Sequence, residues 1–341
     1  MKGPWWFPGI ESRLSLRFNL IFHDNKAGAP NSAALVRDAL IAMDGTVAYS
    51  PLKAPGIPRR IATALRKIMG SPLFDANIFM EHIVPEYLAL ARHNILIPNQ
   101  EWFEPRWKRH LPRFSAILCK PHEAERQFMA RGLQTSYIGF SAQDRRKNLG
   151  VESQFTAGAL HIAGRSLQKG TGALIRVWLK HPEWPLLTVV QRPPHPGYEL
   201  WHPPAENIRY QTEYLPDAEI QSLQNRFSIH ICPSEAEGFG HALAESMSCG
   251  AVLITTDAPP MNELVRPSRG VLVPYSSSAS QGFGTKYLVD ETALEKAIAE
   301  VFLTPVEELQ RLGRAAREWY ENNDKAFQPR FQKVIAEVLG L

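Results

Sequence analysis

The stretch HICPSEAEGFGHALAESMSCGAVLITTDAPPMNELV, residues 230–265, reads as strand, glycine-rich turn, helix, strand, turn, helix. Gly238 and Gly240 flank Phe239 just where a helix should begin. Glycine at such a place lets backbone N–H groups come close to a ligand. The start of the following helix adds a positive dipole end, suited to phosphate or to electron-rich hydroxyls. Two carboxylates, Glu237 and Glu245, bracket the turn. On one continuous helix, eight steps would separate them by about 12 Å and rotate them by only ~80°, so they would address one elongated ligand at two points. A carboxylate offers two acceptor oxygens, which suits a vicinal diol. A sugar and a ribose each present such a diol with a diphosphate between them, so the spacing fits a nucleotide-sugar. The plainer alternative is that Glu237 caps the helix and Glu245 is a solvated helix residue.

Working outward, short apolar runs alternate with longer amphipathic ones, which predicts an α/β fold with parallel sheets. In the first half FNLIFHDN (18–25), TVAYSP, NIFMEHI, NILIPN and SAILCK read as strands. NSAALVRDALIAM (31–43) reads as a helix capped by Asn31 or Ser32, and HEAERQFMARG as one that stops at Gly132. Residues 141–157 carry charge and little periodicity, as a linker would. ALHIAG then opens a second series with strands LLTVV, IRYQTEY, SIHICPS, AVLITT and GVLVP. SSSASQGFGT (276–285) reads as a small flexible loop, and a long helical tail is expected from about Glu291.

At 341 residues the chain is expected to hold two domains. With 44% hydrophobic and 21% charged residues it is not a disordered chain. No run approaches the length of a membrane span. The start, MKGPWWFPGIESR, lacks the apolar run and cleavage site of a secretory signal, and Trp5, Trp6 and Phe7 read as a packed terminus. Cys119, Cys232 and Cys249 are odd in number and widely spaced, which predicts free thiols in a reducing cytoplasm. Residues 1–150 hold 21 Lys and Arg against 12 Asp and Glu, net +9, whereas 151–341 hold 17 against 22, net −5. A basic half suggests an anionic partner: a lipid headgroup, a phosphorylated glycan or nucleic acid.

The segment 233–250 resembles the C-terminal-domain signature of the retaining family-four (group 1) glycosyltransferases, which have the GT-B fold. The pattern stands here as Pro233, Ser234, then Glu237, Gly238, Phe239, Gly240, then Glu245, Met247, Cys249 and Gly250, with Ser246 in place of the usual alanine. ALHIAGRSLQKGTGALIRVW (159–178) is similar to the family's strand, Gly-Arg, Lys-Gly, helix segment, with a loop one residue shorter than the commonest spacing. The resemblance implies that Glu237 meets the donor sugar, that Glu245 meets the ribose, and that the Gly238-Phe239-Gly240 amides meet sugar or phosphate. It places Gly164 beside the donor and Arg165 and Lys169 at the leaving diphosphate. That last role has a physical basis: charge grows on the diphosphate as the glycosidic bond breaks. A fixed guanidinium fork and an ammonium stabilise it without metal. Glu263 matches a further acidic position of the family.

The first half departs most from the family. HDNKAGAPNS stands where a Gly-Gly loop is common, with Gly28 and Asn31 as substitutes and His23 at the strand end. In place of a mid-domain histidine the run ILIPNQEWF offers Asn99, Glu101 and Trp102, with His82 as rival. These are the expected acceptor-side residues. His241 is a helix-start residue within reach of the ligand, and His181, His195 and His202 form no metal spacing. The basic amphipathic helix 57–70 permits peripheral membrane contact; the alternative is an ordinary surface helix.

The implied architecture is two Rossmann-like domains with parallel sheets facing a central cleft. The first, 1–145, is on the acceptor side, with the tail 326–341 packed on it; the second, 146–325, binds the nucleotide-sugar. The implied reaction moves a sugar from a nucleotide-diphosphate-sugar, such as a UDP- or GDP-sugar, to a hydroxyl of a glycan or lipid-linked glycan. It retains configuration and uses no cofactor and no metal. The setting would be polysaccharide or lipopolysaccharide synthesis in the cytoplasm or at the inner face of the membrane, with no nucleic acid partner. The rivals are a sugar-nucleotide epimerase, a phosphorylase, or a non-catalytic sugar-nucleotide-binding protein. A nicotinamide oxidoreductase is disfavoured because no strand is followed by GxGxxG.

Overall fold

The structure, a computed structural model, describes residues 15–22, 28–52, 72–147 and 158–341. The first sheet contains β1 (Arg17–Phe22), β2 (Thr46–Pro51), β3 (Phe74–Met80), β4 (Ala91–Ile97), β5 (Ala116–Cys119) and β6 (Thr135–Tyr137). Its order is β2-β1-β3-β4-β5-β6, and every pairing is parallel. The second contains β7 (Ala159–Gly164), β8 (Leu187–Gln191), β9 (Ile208–Gln211), β10 (Ile229–Cys232), β11 (Val252–Thr256) and β12 (Val271–Val273). It is also parallel, in the order β12-β11-β10-β7-β8-β9. The inner strands β5, β8, β10 and β11 are wholly buried and largely apolar, as a parallel sheet covered on both faces requires. This is the expected GT-B architecture.

The helices are α1 (Gly28–Ile41), α2 (His122–Met129), α3 (Thr171–Trp178), α4 (Asp217–Arg226), α5 (His241–Ser248), α6 (Met261–Leu264), α7 (Glu291–Leu303) and α8 (Val306–Leu339). Helix α8 crosses back, so that Phe327, Phe331, Val334 and Ile335 share a cluster with Phe18, Val36 and Leu40 around the first sheet. The expected tail is thus two helices, broken at Thr304 and Pro305 because proline lacks the N–H that would continue α7.

Three local expectations fail for identifiable reasons. Helix α1 begins at Gly28, so Asn31 and Ser32 lie inside it rather than at its cap. The predicted linker is not loose over 141–147. Arg145 is 2% exposed, its backbone N–H donates to Ser248 Oγ, and its guanidinium reaches Gln224 and Asp217. Charge without periodicity there marks a buried polar crossing. The predicted flexible loop 276–285 is instead an antiparallel hairpin, β13 (Tyr275–Gln281) with β14 (Gly284–Val289). Its serine-rich strand is exposed on both faces and carries no alternating apolar signal. His23, helix 57–70 and Trp5, Trp6 and Phe7 lie outside the described residues.

Candidate active site

Strand β10 ends at Cys232, and the chain then runs through Pro233–Gly240 into α5. Gly240 takes φ +105°, a conformation strained for any L side chain, and it precedes α5 with no side-chain cap. Glu237 therefore lies ahead of the helix, neither on it nor capping it. The helical estimate for the Glu237–Glu245 separation does not apply, since only Glu245 is on α5. From the other loop, between β7 and α3, Lys169 reaches across so that its Nζ pairs with Glu237 Oε1. Burial opposes the charge on Lys169, but the attraction of Glu237 and its hydrogen bond prevail, and the Lys169 pKa is raised. Removing one partner of such a pair leaves a buried charge uncompensated.

Glu245 accepts a hydrogen bond from Gln224 Nε2 at 2.9 Å, and Gln224 Oε1 is fixed in turn by Arg145 Nε at 2.8 Å. Burial pushes the Glu245 pKa up, against the pull of Gln224 and Arg145. Gly164 closes β7 with φ +57°, and Arg165 follows it, exposed, at the mouth of the Lys169 loop.

The opposing wall comes from three neighbouring strands of the first sheet. Glu81 follows β3, Asn99–Glu101 follow β4, and Lys120 follows β5. Gln100 Nε2 donates to the Glu237 backbone carbonyl at 2.8 Å. A Cβ at Gly238 would collide with the Asn99 side-chain amide, so glycine is what lets the two walls meet. Glu101 is 5% exposed; burial raises its pKa to about 7, helped by Glu237 and Glu81 and opposed by its own backbone hydrogen bond and Lys120. Lys120 Nζ stands 3.7 Å from Glu81 Oε1 and 5.4 Å from the Phe140 ring centre. Glu81 adopts φ +67°, uncommon for a non-glycine residue.

The structure thus brings Asn99 and Glu101 to Glu237, together with Gln100, Glu81 and Lys120, which sequence reasoning missed. A search for charged residues just past each strand would have found Glu81 and Lys120. His82 goes elsewhere: it packs edge-on against Trp107 and lines a separate cavity of about 380 Å³ with Arg106, Arg109 and His110. Trp102 is exposed. His241 meets Ser32 Oγ of α1 through Nε2 at 2.9 Å, and burial lowers its pKa to about 3, so it is a neutral contact between the walls.

The hairpin closes one side of the site. Gln281 and Gln168 exchange amide hydrogen bonds of 2.9 and 3.1 Å beside Lys169. The Tyr287 N–H donates to Glu235 O at 2.7 Å, and Lys286 pairs with Glu235 at 2.8 Å. At the tip, the Phe283 N–H donates to Gln100 O at 2.7 Å, and its ring enters the first half's aromatic cluster 4.4 Å from Phe103 and 5.2 Å from Phe128. Gly282 and Gly284 lie against the Gln100–Glu101 backbone. Cys119, Cys232 and Cys249 are buried free thiols, each with its pKa raised by burial. Among the described residues no group of three or more His, Cys, Asp and Glu is placed to hold a metal ion, and no helix is long and apolar enough to cross a membrane.

Residues 206–319 match the family described as glycosyl transferases group 1. No curated protein matches the chain by sequence. Among solved structures it is similar to a glycosyltransferase from Rickettsia africae ESF-5 (13% identity over 96% of this chain and 99% of that one, TM-score 0.71). It is also similar to HepE of Anabaena in complex with UDP and glucose (14%, 95% and 99%, TM-score 0.63). A third is the pneumococcal O-GlcNAc transferase GtfA in complex with UDP and GlcNAc (13%, 82% and 60%, TM-score 0.60). The chain spans 60% of the length of GtfA. At these identities the likeness shows a shared fold. The matched segment contains the Glu237–Glu245 turn, and the fold that carries it is the GT-B fold of these structures.

Proposed function

We propose that the protein transfers a sugar from a nucleotide-diphosphate-sugar to a hydroxyl of a glycan or lipid-linked glycan, with retention and without a metal. The carrying observation is the buried Lys169–Glu237 pair, set between two helix N-termini and roofed by Gln100 from the opposite wall. In this reading the diphosphate lies at the start of α5 against Lys169 and Arg165, which stabilise the charge that develops on departure. Glu237 then takes the sugar hydroxyls and Glu245 the ribose diol. Gly164 and the Gly238-Phe239-Gly240 backbone leave room for the donor to approach.

Asn99 and Glu101 form the acceptor side. Among the described residues Asn99 Oδ1, Gln100 Oε1 and Glu101 Oε2 are buried and have no hydrogen-bond partner, and sugar hydroxyls are the donors that such oxygens need. The division into an acceptor domain (1–145, with 326–341) and a donor domain (146–325) belongs to this reading. So does a site of action in the cytoplasm, reaching the inner face of a membrane through 57–70.

UDP in the HepE and GtfA complexes makes UDP-sugars the first donors to try. A thermal-shift panel of UDP-, GDP-, ADP- and CMP-sugars tests the reading, followed by donor turnover with and without glycan acceptors. One sugar-nucleotide should stabilise the fold and turn over faster when an acceptor is added. Turnover that ignores acceptors would favour an epimerase, and phosphate-dependent turnover a phosphorylase. Binding with no turnover on any glycan would leave a binding protein.

A further inference from the structure

Cations from both halves of the chain gather away from the Lys169–Glu237 pair. Between α2, α6 and α8 lies a cavity of about 470 Å³ whose walls include Arg126, Arg266, Arg330, Trp319, Lys120 and Phe239. Its acid, Glu263, is already engaged. The Glu263 carboxylate accepts from the His122 and Glu123 backbone N–H groups at 2.7 Å each, and from Arg126 Nη2 at 3.3 Å. The start of α2 therefore already holds one anion, supplied by the opposite half of the molecule.

Lys120 stands 3.7 Å from Glu81, whereas Arg266 and Arg330 pair with no carboxylate among the described residues. The Arg266 side chain is exposed and makes no hydrogen bond or ion pair among the described residues. Arg330 donates only to the Ile138 carbonyl, at 3.1 Å, and lies 5.1 Å over the Tyr137 ring, which is itself stacked on His122 at 3.6 Å. Arg269 stands behind them over Trp319, its pKa lowered by burial and then by Arg266. Guanidiniums crowded around one concavity repel one another until an anion enters, and a phosphate's three oxygens suit two or more such forks. Trp319 offers a flat apolar face to the rest of a small ligand, and the volume lies in the range of small-molecule sites.

We propose that this cavity binds the phosphate monoester of a compact ligand such as a sugar phosphate, at a place separate from the donor's diphosphate. The inference holds whether or not the sugar-transfer reading does, because it concerns binding alone. Phe239, in the wall, belongs to the Gly-Phe-Gly turn and joins the two places.

Calorimetric titration of the full chain at low ionic strength with glucose 6-phosphate, inorganic phosphate and uncharged glucose tests it. Glucose 6-phosphate should bind saturably and glucose should not. Arg266→Ala and Arg330→Ala should each weaken glucose 6-phosphate about tenfold, the loss of one charged hydrogen-bonding group. Arg266 packs against nothing named above, so its replacement keeps the test valid if Arg330→Ala fails to fold. Binding that tightens with saturating UDP would mark the phosphate as part of an acceptor; binding indifferent to UDP would mark an effector. Equal affinity for glucose and glucose 6-phosphate, an unchanged affinity in Arg266→Ala, or competition with UDP would overturn the proposal.

Discussion

The two walls of the cleft are built in opposite ways. The wall on the second sheet takes Glu237, the glycine turn and Glu245 from nine consecutive residues, with Lys169 and Arg165 one loop away. The wall on the first sheet gathers Glu81, Asn99–Glu101 and Lys120 from three strand ends spread over forty residues. The first is a local backbone device, in which a positive φ at Gly240 and a bare Cα at Gly238 fix where the side chains stand. The second exists only because β3, β4 and β5 lie side by side. A local device can be read from spacing; an assembled one cannot. The hairpin joins the walls by touching Glu235 and Gln168 on one side and Gln100 and Phe103 on the other.

This contrast can be broken at four places. The largest effect is expected for Lys169→Ala, which strands Glu237 in a buried site. Turnover should fall about 10²–10³-fold, the scale for losing one group that stabilises transition-state charge. Stability should fall by about 3–5 kcal/mol as the buried pair is broken. Wild-type turnover in this variant would remove the second-sheet wall's central contact from the chemistry.

Next comes Phe283→Ala at the hairpin tip. Emptying a 4%-exposed aromatic site should cost about 3–5 kcal/mol in denaturant melts. It should also raise the KM for donor more than it lowers kcat, because it loosens the walls rather than the chemistry. A variant with unaltered stability would mean that the hairpin does not hold the halves together.

Third is the pH dependence set by Glu101. Its pKa rises from the usual 4.5 to about 7 in the folded chain, so the folded state holds the proton more tightly. The folded state is therefore penalised progressively as pH rises from about 4.5 to 7, and fully above that. The size is about 3 kcal/mol, since each pKa step is worth about 1.4 kcal/mol. Glu101→Gln should flatten that part of the profile, gaining on wild type at pH 8 and not at pH 4. Parallel melting curves for the two proteins across this range would count against a buried, protonated Glu101.

The smallest effect falls on Glu245. Replacement by alanine should remove most of the preference for UDP over its 2′-deoxy form, about 1.5–3 kcal/mol for a charged hydrogen bond, as read by calorimetry. A preference that survives would move the ribose away from α5.

The legible part of the site was the part whose chemistry travels with its neighbours in the chain. Glu237, Gly238, Gly240 and Glu245 read as a ligand turn from their spacing, and the structure places Glu237 ahead of the helix rather than on it. Asn99 and Glu101 stand out in sequence by their place after a strand, and the structure sets them close to the Glu237 turn. Gln100, between them, gains its place in the site only through the Glu237 carbonyl that it faces across the cleft. His82 looked as suitable as Glu101 in sequence, yet Trp107 draws it into another cavity. The hairpin was misread because a serine-rich strand exposed on both faces lacks any alternation to detect.

The sequence by itself determined the parallel α/β layering and the glycine-rich turn before α5, because hydrophobic period and glycine placement act over a few residues. Tertiary structure alone decided which acids and amides oppose Glu237, how Lys120 and Glu101 come to share one buried environment, and where α8 returns. Those outcomes depend on strand order and on contacts between residues a hundred or more positions apart, and no short-range pattern encodes them.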